Sequence, residues 1–148
     1  MTFIQIAGSG AAPNQYVAGA AGLSLNNSFQ NFSWGPSVNS SNWGSGVTLV
    51  CPATGYYTVS VLMNTPSVND NSQVVMQLLA NGGVIADTAG TVEVGNFGNK
   101  GQAGVLWNGV VGAGTTFNVQ MRSWQSPFFS VGGGQLIITY VPTPLYRR

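Results

Sequence analysis

The sequence predicts an all-β chain, a single-domain antiparallel β-sandwich of roughly eight to ten short strands. Three observations carry this. Charged residues make up only 5% of the 148 residues, so the helix formers Glu, Lys and Arg are nearly missing. Twenty-one glycines and seven prolines interrupt most windows. Between these breaks, short runs rich in Val, Ile, Tyr, Phe and Thr recur, with turn residues about every 8–12 positions. A chain of 148 residues suits one domain and buries roughly 68–70% of its unfolded surface, enough for one core without disulfides or metal.

Phe3 to Ile6 reads as a short strand and Ala7 to Asn14 as a flexible Gly/Ala/Ser stretch, so residues 1–14 form an N-terminal arm. Tyr16 to Leu25 is a weak strand region. Phe29, Phe32, Trp34 and Trp43 follow among Asn, Ser and Gly, in short strands and loops. Val47 to Cys51 is a strand closed by the turn Pro52-Ala53-Thr54-Gly55. Tyr56 to Asn64 is the next strand. Its odd positions, Tyr57, Val59, Val61 and Met63, are wholly apolar and its even positions mixed, as a half-buried strand requires. Pro66 to Asn71 is a polar loop.

Val74 to Ala80 leads into Asn81-Gly82-Gly83, a strong hairpin signal, and Val84 to Thr88 continues after it. Thr91 to Val94 is short. Gln102 to Val111 turns at Gly112-Ala113-Gly114 into Thr115 to Trp124, where Phe117, Val119 and Met121 alternate with Asn118, Gln120 and Arg122. Phe128 to Val131 passes through Gly132-Gly133-Gly134 into the last strand, Gln135 to Val141. Pro142 and Pro144 end it, because proline cannot continue a ladder. The domain is thus 15–141 and the C-terminal tail 142–148.

Seven residues carry all the side-chain charge: Asp70, Asp87, Glu93, Lys100, Arg122, Arg147 and Arg148. A charged fraction of 5% against a usual value of about 25% leaves the polar work to Asn, Gln, Ser and Thr. Phosphate binding needs clustered Lys and Arg, and Arg147-Arg148 is the one basic pair, so nucleic acid is not an expected partner. No apolar run approaches the roughly 20 residues of a membrane helix, and no membrane partner is expected. The first six residues lack the basic region and long apolar stretch of a signal peptide. Low net charge weakens the usual guard against association, which points to work inside an assembly.

Catalysis finds little support. Cys51, the single cysteine, sits in an apolar run and reads as a small buried hydrophobe; a catalytic thiol wants a His or a basic neighbour, and the chain has no histidine. Asp87 and Glu93 read as solvated strand-end charges, with a glycosidase-type carboxylate pair as the minor alternative. Asn69-Asp70-Asn71 reads as a turn-forming cluster. Its calcium alternative needs three copies on a threefold axis, since one carboxylate per chain is a poor site. No cofactor is expected. Trp107 and Trp124 fall within strands and are candidate core or subunit-interface residues, with Tyr57 and Tyr140 beside them. Trp34 and Trp43 lie in polar contexts and read first as loop anchors plugging the sandwich end, with stacking on a sugar or a partner as the alternative that makes them candidate contact residues.

Local motifs resemble the C1q/TNF-like jelly-roll superfamily over about Val47 to Val141. Leu49 to Ser60, with Gly55-Tyr56-Tyr57 at its centre, looks like that family's strand–turn–Gly–Tyr–Tyr–strand signature. Val75 to Gly83 looks like its following strand with an Asn-Gly turn. Gly114 to Met121 sits where the family has a turn and penultimate strand, and Phe128 to Val141 looks like its closing strand. The resemblance implies a jelly roll of ten strands that forms a homotrimer and acts by binding, not catalysis.

The chain has no collagen-like stalk and few charges, so it resembles the bacterial and phage branch, which uses the fold for virion knobs and capsid decorations. The expected function is a non-enzymatic homotrimeric structural protein at a virion surface. It would decorate or cement a phage capsid through Phe3, Ile4 and Ile6 of the arm and Tyr146, Arg147 and Arg148 of the tail. The alternative is a carbohydrate- or receptor-binding module, a host-recognition tip, with a surface glycan as partner. Outside a virion the chain would be extracellular by a route the sequence does not show.

Overall fold

The segment Gly55–Thr65 shows how the sandwich is made. Tyr57, Val59, Val61 and Met63 are all at most 2% exposed, while Tyr56 and Leu62 between them are 44% and 42% exposed. The period-2 alternation of the sequence is thus a physical division between core and surface. The structure, a computed structural model, describes residues 14–20, 22–65, 72–88, 92–94, 101–123 and 130–142.

Among these residues there is no helix and the strands are β1 (Asn14–Ala20), β2 (Leu23–Ser24), β3 (Gln30–Asn31), β4 (Trp34–Asn39), β5 (Leu49–Val50), β6 (Gly55–Thr65), β7 (Ser72–Ala80), β8 (Gly83–Asp87), β9 (Val92–Val94), β10 (Gly101–Val111), β11 (Thr116–Ser123) and β12 (Ser130–Pro142). Two antiparallel sheets result. The first has the order β10-β6-β12-β1-β4, with β2 beside β12. The second has the order β3-β11-β7-β8, with β5 on β11 and β9 on β7. This is the jelly-roll architecture expected from the sequence.

Several boundaries differ from the sequence reading. Asn14, expected as the last residue of the arm, opens β1 and pairs with Tyr140. The strand expected over Val47 to Cys51 shrinks to Leu49–Val50. Gly55 does not serve the turn; it is buried, begins β6 and pairs with Val111 and Pro142. Gly132 to Gly134 do not separate two segments, because β12 runs through them with a register shift against β6 between Gly132 and Gln135. That extra length is a β-bulge, which glycine accommodates easily. The β7–β8 turn is as expected: Asn81 and Gly82 both have positive φ, 49° and 81°, the requirement of a type I′ hairpin. Asn81 Oδ1 accepts a hydrogen bond from the Thr116 amide at 3.0 Å, tying the turn to β11.

The core is aromatic at its centre. Tyr57 stacks on Tyr140 with centroids 4.8 Å apart, and Trp43 meets Tyr57 edge-on at 5.4 Å. Phe117 from the second sheet reaches Tyr57 at 6.1 Å and Trp107 at 6.0 Å. Such pairs contribute about 0.5–1.5 kcal/mol each beyond their buried area. Trp107 lies where a side chain at Gly109 would stand, since a Cβ there would collide with the indole. Glycine at that strand position is thus a packing requirement.

Candidate interaction surface

The outward face of the first sheet follows from parity. In β6, β10 and β12 the inward residues fill the core, so their alternate neighbours point away from it. Strand register then sets those neighbours in rows. Val110 lies opposite Tyr56, and Tyr56 opposite Val141, across β10, β6 and β12. A second row runs Leu106, Ser60, Ile137, Val17 and Val38 across all five strands. Leu106 is 66% exposed and Val110 62%. Tyr56, Leu62, Val38 and Val141 are each at least 40% exposed. Among the described residues no strand of this sheet places a charged residue on that face. A polar row, Asn108, Thr58, Thr139 and Gln15, runs between these two, and exposed apolar side chains on a face without charge are the kind of surface that suits an interaction.

One end of the face is hollow. A depression of about 470 Å³ is lined by Val17, Gly19, Ser37, Leu62, Asn64, Gln102 and Gln135 together with the β1 and β12 backbone. Gln102 Nε2 donates to Asn64 Oδ1 at 3.0 Å on its rim.

The second sheet presents different chemistry. Gln77 Nε2 donates to Gln120 Oε1 at 2.7 Å, and Gln120 Nε2 donates to Asn31 Oδ1 at 3.0 Å. Register puts Asn31, Gln120, Gln77 and Asp87 in one row across β3, β11, β7 and β8. Beside this row the Arg122 guanidinium lies 4.8 Å from the Phe29 ring centroid.

Of the residues singled out from sequence, Tyr57 is fully buried, and Trp107 and Tyr140 are partly buried against the core. Trp34 and Trp43 are core residues, 2% and 0% exposed, in keeping with anchors of the sandwich end and against the alternative that they stack on a sugar or partner. The physical reason is local. Asn39 holds the loop after β4: its Oδ1 accepts from the Trp43 amide at 2.7 Å and its Nδ2 donates to the Gly44 carbonyl at 3.2 Å. The polar residues around Trp43 therefore close the loop over the indole. Trp124, Phe3, Ile4, Ile6, Tyr146, Arg147 and Arg148 lie outside the described residues, as does the Asn69-Asp70-Asn71 cluster. Leu106, Val110 and Tyr56, the most prominent surface residues, were not among the sequence candidates. The available signal was apolar residues at both parities of β10, as in Val105-Leu106-Trp107.

The chemistry of the chain's titratable groups is that of a closed core. Burial pushes the Cys51 thiol up to about 12, and a hydrogen bond with Tyr57 offsets this only in part. The thiol therefore stays protonated and is no nucleophile at neutral pH. Tyr57 is raised well above the usual phenol range, first by burial and then by the neighbouring Cys51, and its hydroxyl donates to the Ala53 carbonyl. Asp87 and Glu93 face Gln77 and Gln73 along the same edge of β7. Four strand residues separate those positions by about 13 Å. Among the described residues no three His, Cys, Asp or Glu side chains gather as metal ligands would.

No family model and no curated protein matches the chain. Among solved structures it is similar to murine APRIL at pH 5.0, with a TM-score of 0.55 and 9% identity over 84% of this chain and 98% of that one. It is likewise similar to Eiger TNF from S. frugiperda, with a TM-score of 0.55 and 11% identity over 88% of this chain and 95% of that one. At such identities the likeness is one of fold: the chain is a jelly roll similar to these structures.

Proposed function

We propose that the chain is a non-enzymatic structural protein that assembles as a homotrimer through the outward face of its first sheet and decorates or cements a phage capsid. The observation that carries the self-association is the exposure of Leu106, Val110 and Tyr56 on a face that places no charged residue among the described residues. The number three rests on the C1q/TNF-like resemblance. Five strands spaced about 4.8 Å apart, with about eight residues of each in play, give a face on the order of 600 Å². That approaches the roughly 800 Å² per partner of a standard interface. The virion role, and with it a virion-surface location, is supported by the charge-poor composition.

Light scattering on a sizing column tests the assembly. Three chain masses are expected, and Leu106→Asp should run at one. A wild-type monomer overturns the reading. The capsid role is tested by mixing the purified protein with capsids of a candidate phage and sedimenting them. Co-sedimentation lost on removing residues 1–13 is expected; no binding to any capsid fraction overturns it. The glycan-binding alternative now rests on surface amides alone, since Trp34 and Trp43 are buried.

A further inference from the structure

We propose that the hollow at the Asn64–Gln102 end of the first-sheet face binds a neutral oligosaccharide. Such a site lies outside the structural role proposed above and uses neither tryptophan that the sequence offered for sugar contact. Its floor is a glycine that the fold does not need. Gly19 lies within β1 at an exposed position between the inward Ala18 and Ala20. Its φ is not positive, and a Cβ there would meet nothing nearer than the Gly134 carbonyl oxygen at 3.7 Å, an ordinary contact. Other strand glycines differ. A Cβ at Gly134 would run into the Met63 sulfur, one at Gly109 into the Trp107 ring, and one at Gly104 would stand 2.9 Å from the Val61 carbonyl oxygen. Glycine weakens a strand interior, and one that packing does not demand marks a place where a ligand can approach the backbone closely.

The walls carry the recognition chemistry. Register sets an amide on each of three neighbouring strands: Gln102 on β10 opposite Asn64 on β6, and Gln135 on β12 opposite Leu62 of β6 and Gly19 of β1. Gln102 Nε2 donates to Asn64 Oδ1 at 3.0 Å, which steadies the pair and leaves Gln102 Oε1 as an acceptor. Ser37 closes the far side on β4; its hydroxyl donates to the Val17 carbonyl at 3.2 Å, so its lone pairs are left to accept. Val17 and Leu62 add apolar surface between these groups, and none of the lining residues is charged. An ionic ligand would find no counter-charge here. A purely apolar one would strip the amides of water without replacing their hydrogen bonds. A neutral sugar meets both conditions, because each hydroxyl donates and accepts while the ring C–H face suits Val17 and Leu62. The hollow holds about 470 Å³, a volume typical of small-ligand sites. From Gln102 to Ser37 it crosses five strands, about 19 Å at about 4.8 Å per strand, which is long enough for several linked rings. It also stands apart from the apolar row of Val110, Tyr56 and Val141, since Val110 and Gln102 lie about 26 Å apart along β10.

The test is a printed array of neutral oligosaccharides of glucose, galactose, mannose and N-acetylglucosamine, beside sialylated and sulfated ones, probed with the intact chain. Neutral glycans should bind, and acidic ones should bind no better. The strongest neutral hit is then titrated free in solution by calorimetry, which reads each hollow singly whatever the oligomer. Gly19→Leu fills the floor and should abolish binding. Gln135→Ala should raise Kd about tenfold, the loss of one or two hydrogen bonds. Gln120→Ala, in the amide row of the second sheet, should leave Kd unchanged. Thermal midpoints check that each variant is folded, and Gln135→Ala carries the test if Gly19→Leu is not. The site is overturned if no neutral glycan binds, if acidic glycans are preferred, or if Gly19→Leu and Gln135→Ala bind like wild type. If Gly19→Leu turns a trimer into monomers, a second copy covers the hollow and the site is likewise overturned. A monomeric wild type that binds overturns the assembly alone; a trimer that binds no neutral glycan overturns the sugar site alone.

Discussion

The two outer faces of this sandwich share one core and differ in almost everything else. The first sheet turns Tyr56, Leu62, Leu106, Val110 and Val141 to solvent over its long strands. The second turns out a row of amides, Asn31, Gln120 and Gln77, whose hydrogen bonds are made to one another. Its exposed apolar residues, Val47, Val50 and Val84, lie on or beside the short strands β5 and β8. The second face is closer to finished: its amide row is hydrogen-bonded within the molecule. The first is unfinished, because water is a poor neighbour for a field of leucine and valine. The difference is what points to the first face as the proposed interface, and it does so without any charge to mark it.

The largest effect should come from the core that serves both faces. Trp43→Ala removes a fully buried indole and should cost about 3–5 kcal/mol of folding stability, read by chemical denaturation. A loss under about 1 kcal/mol would return Trp43 to the surface and reopen the sugar-stacking reading. Next comes Leu106→Asp, which should weaken self-association by at least about 30-fold, the range of an interface hot spot, in dilution-series light scattering. Equal weakening by Gln120→Asp would break the contrast between the faces. Gln120→Ala interrupts the amide row at its middle and should cost about 1 kcal/mol of stability while leaving the oligomer intact.

The smallest effect at neutral pH is the titration of the shared core. The folded-state pKa of Cys51 is raised from 9.0 to about 12. The unfolded chain therefore releases this proton first. Its stabilising contribution is complete below pH 9 and disappears as pH climbs toward 12. Tyr16 and Tyr57, both raised by burial, add in the same direction. Thermal midpoints should fall between pH 9 and 12, and Cys51→Ala should make that fall shallower.

Legibility from sequence tracked how cleanly inside and outside alternate. β6 and β11 were readable because each has one consistently apolar parity, Tyr57 to Met63 and Phe117 to Met121. The β7–β8 hairpin was readable because Asn-Gly is the cheapest way to place two positive φ angles in succession. The interaction surface was hidden for the opposite reason. β10 is apolar on both parities, so Trp107, facing in, drew more notice than Leu106, facing out. Trp34 and Trp43 were misleading because Asn39 and its neighbours look like exposed loop chemistry. They are instead the hydrogen-bonding frame that folds the loop inward, a tertiary arrangement that local composition does not encode.

β10 has one more consequence. It is an eleven-residue strand at the border of its sheet, without a single lysine, proline or acidic residue in Gly101–Val111. Natural sheets blunt such borders with those residues to prevent unplanned strand addition. Within Gly101–Val111 that blunting is missing, so on the proposed assembly a newly made copy is exposed to unplanned pairing until it meets its partners. The correct encounter and the incorrect one compete for the same strand in time. Assembly into the proposed trimer would then be a solubility device as well as an architecture, and slow assembly should show itself first as precipitate.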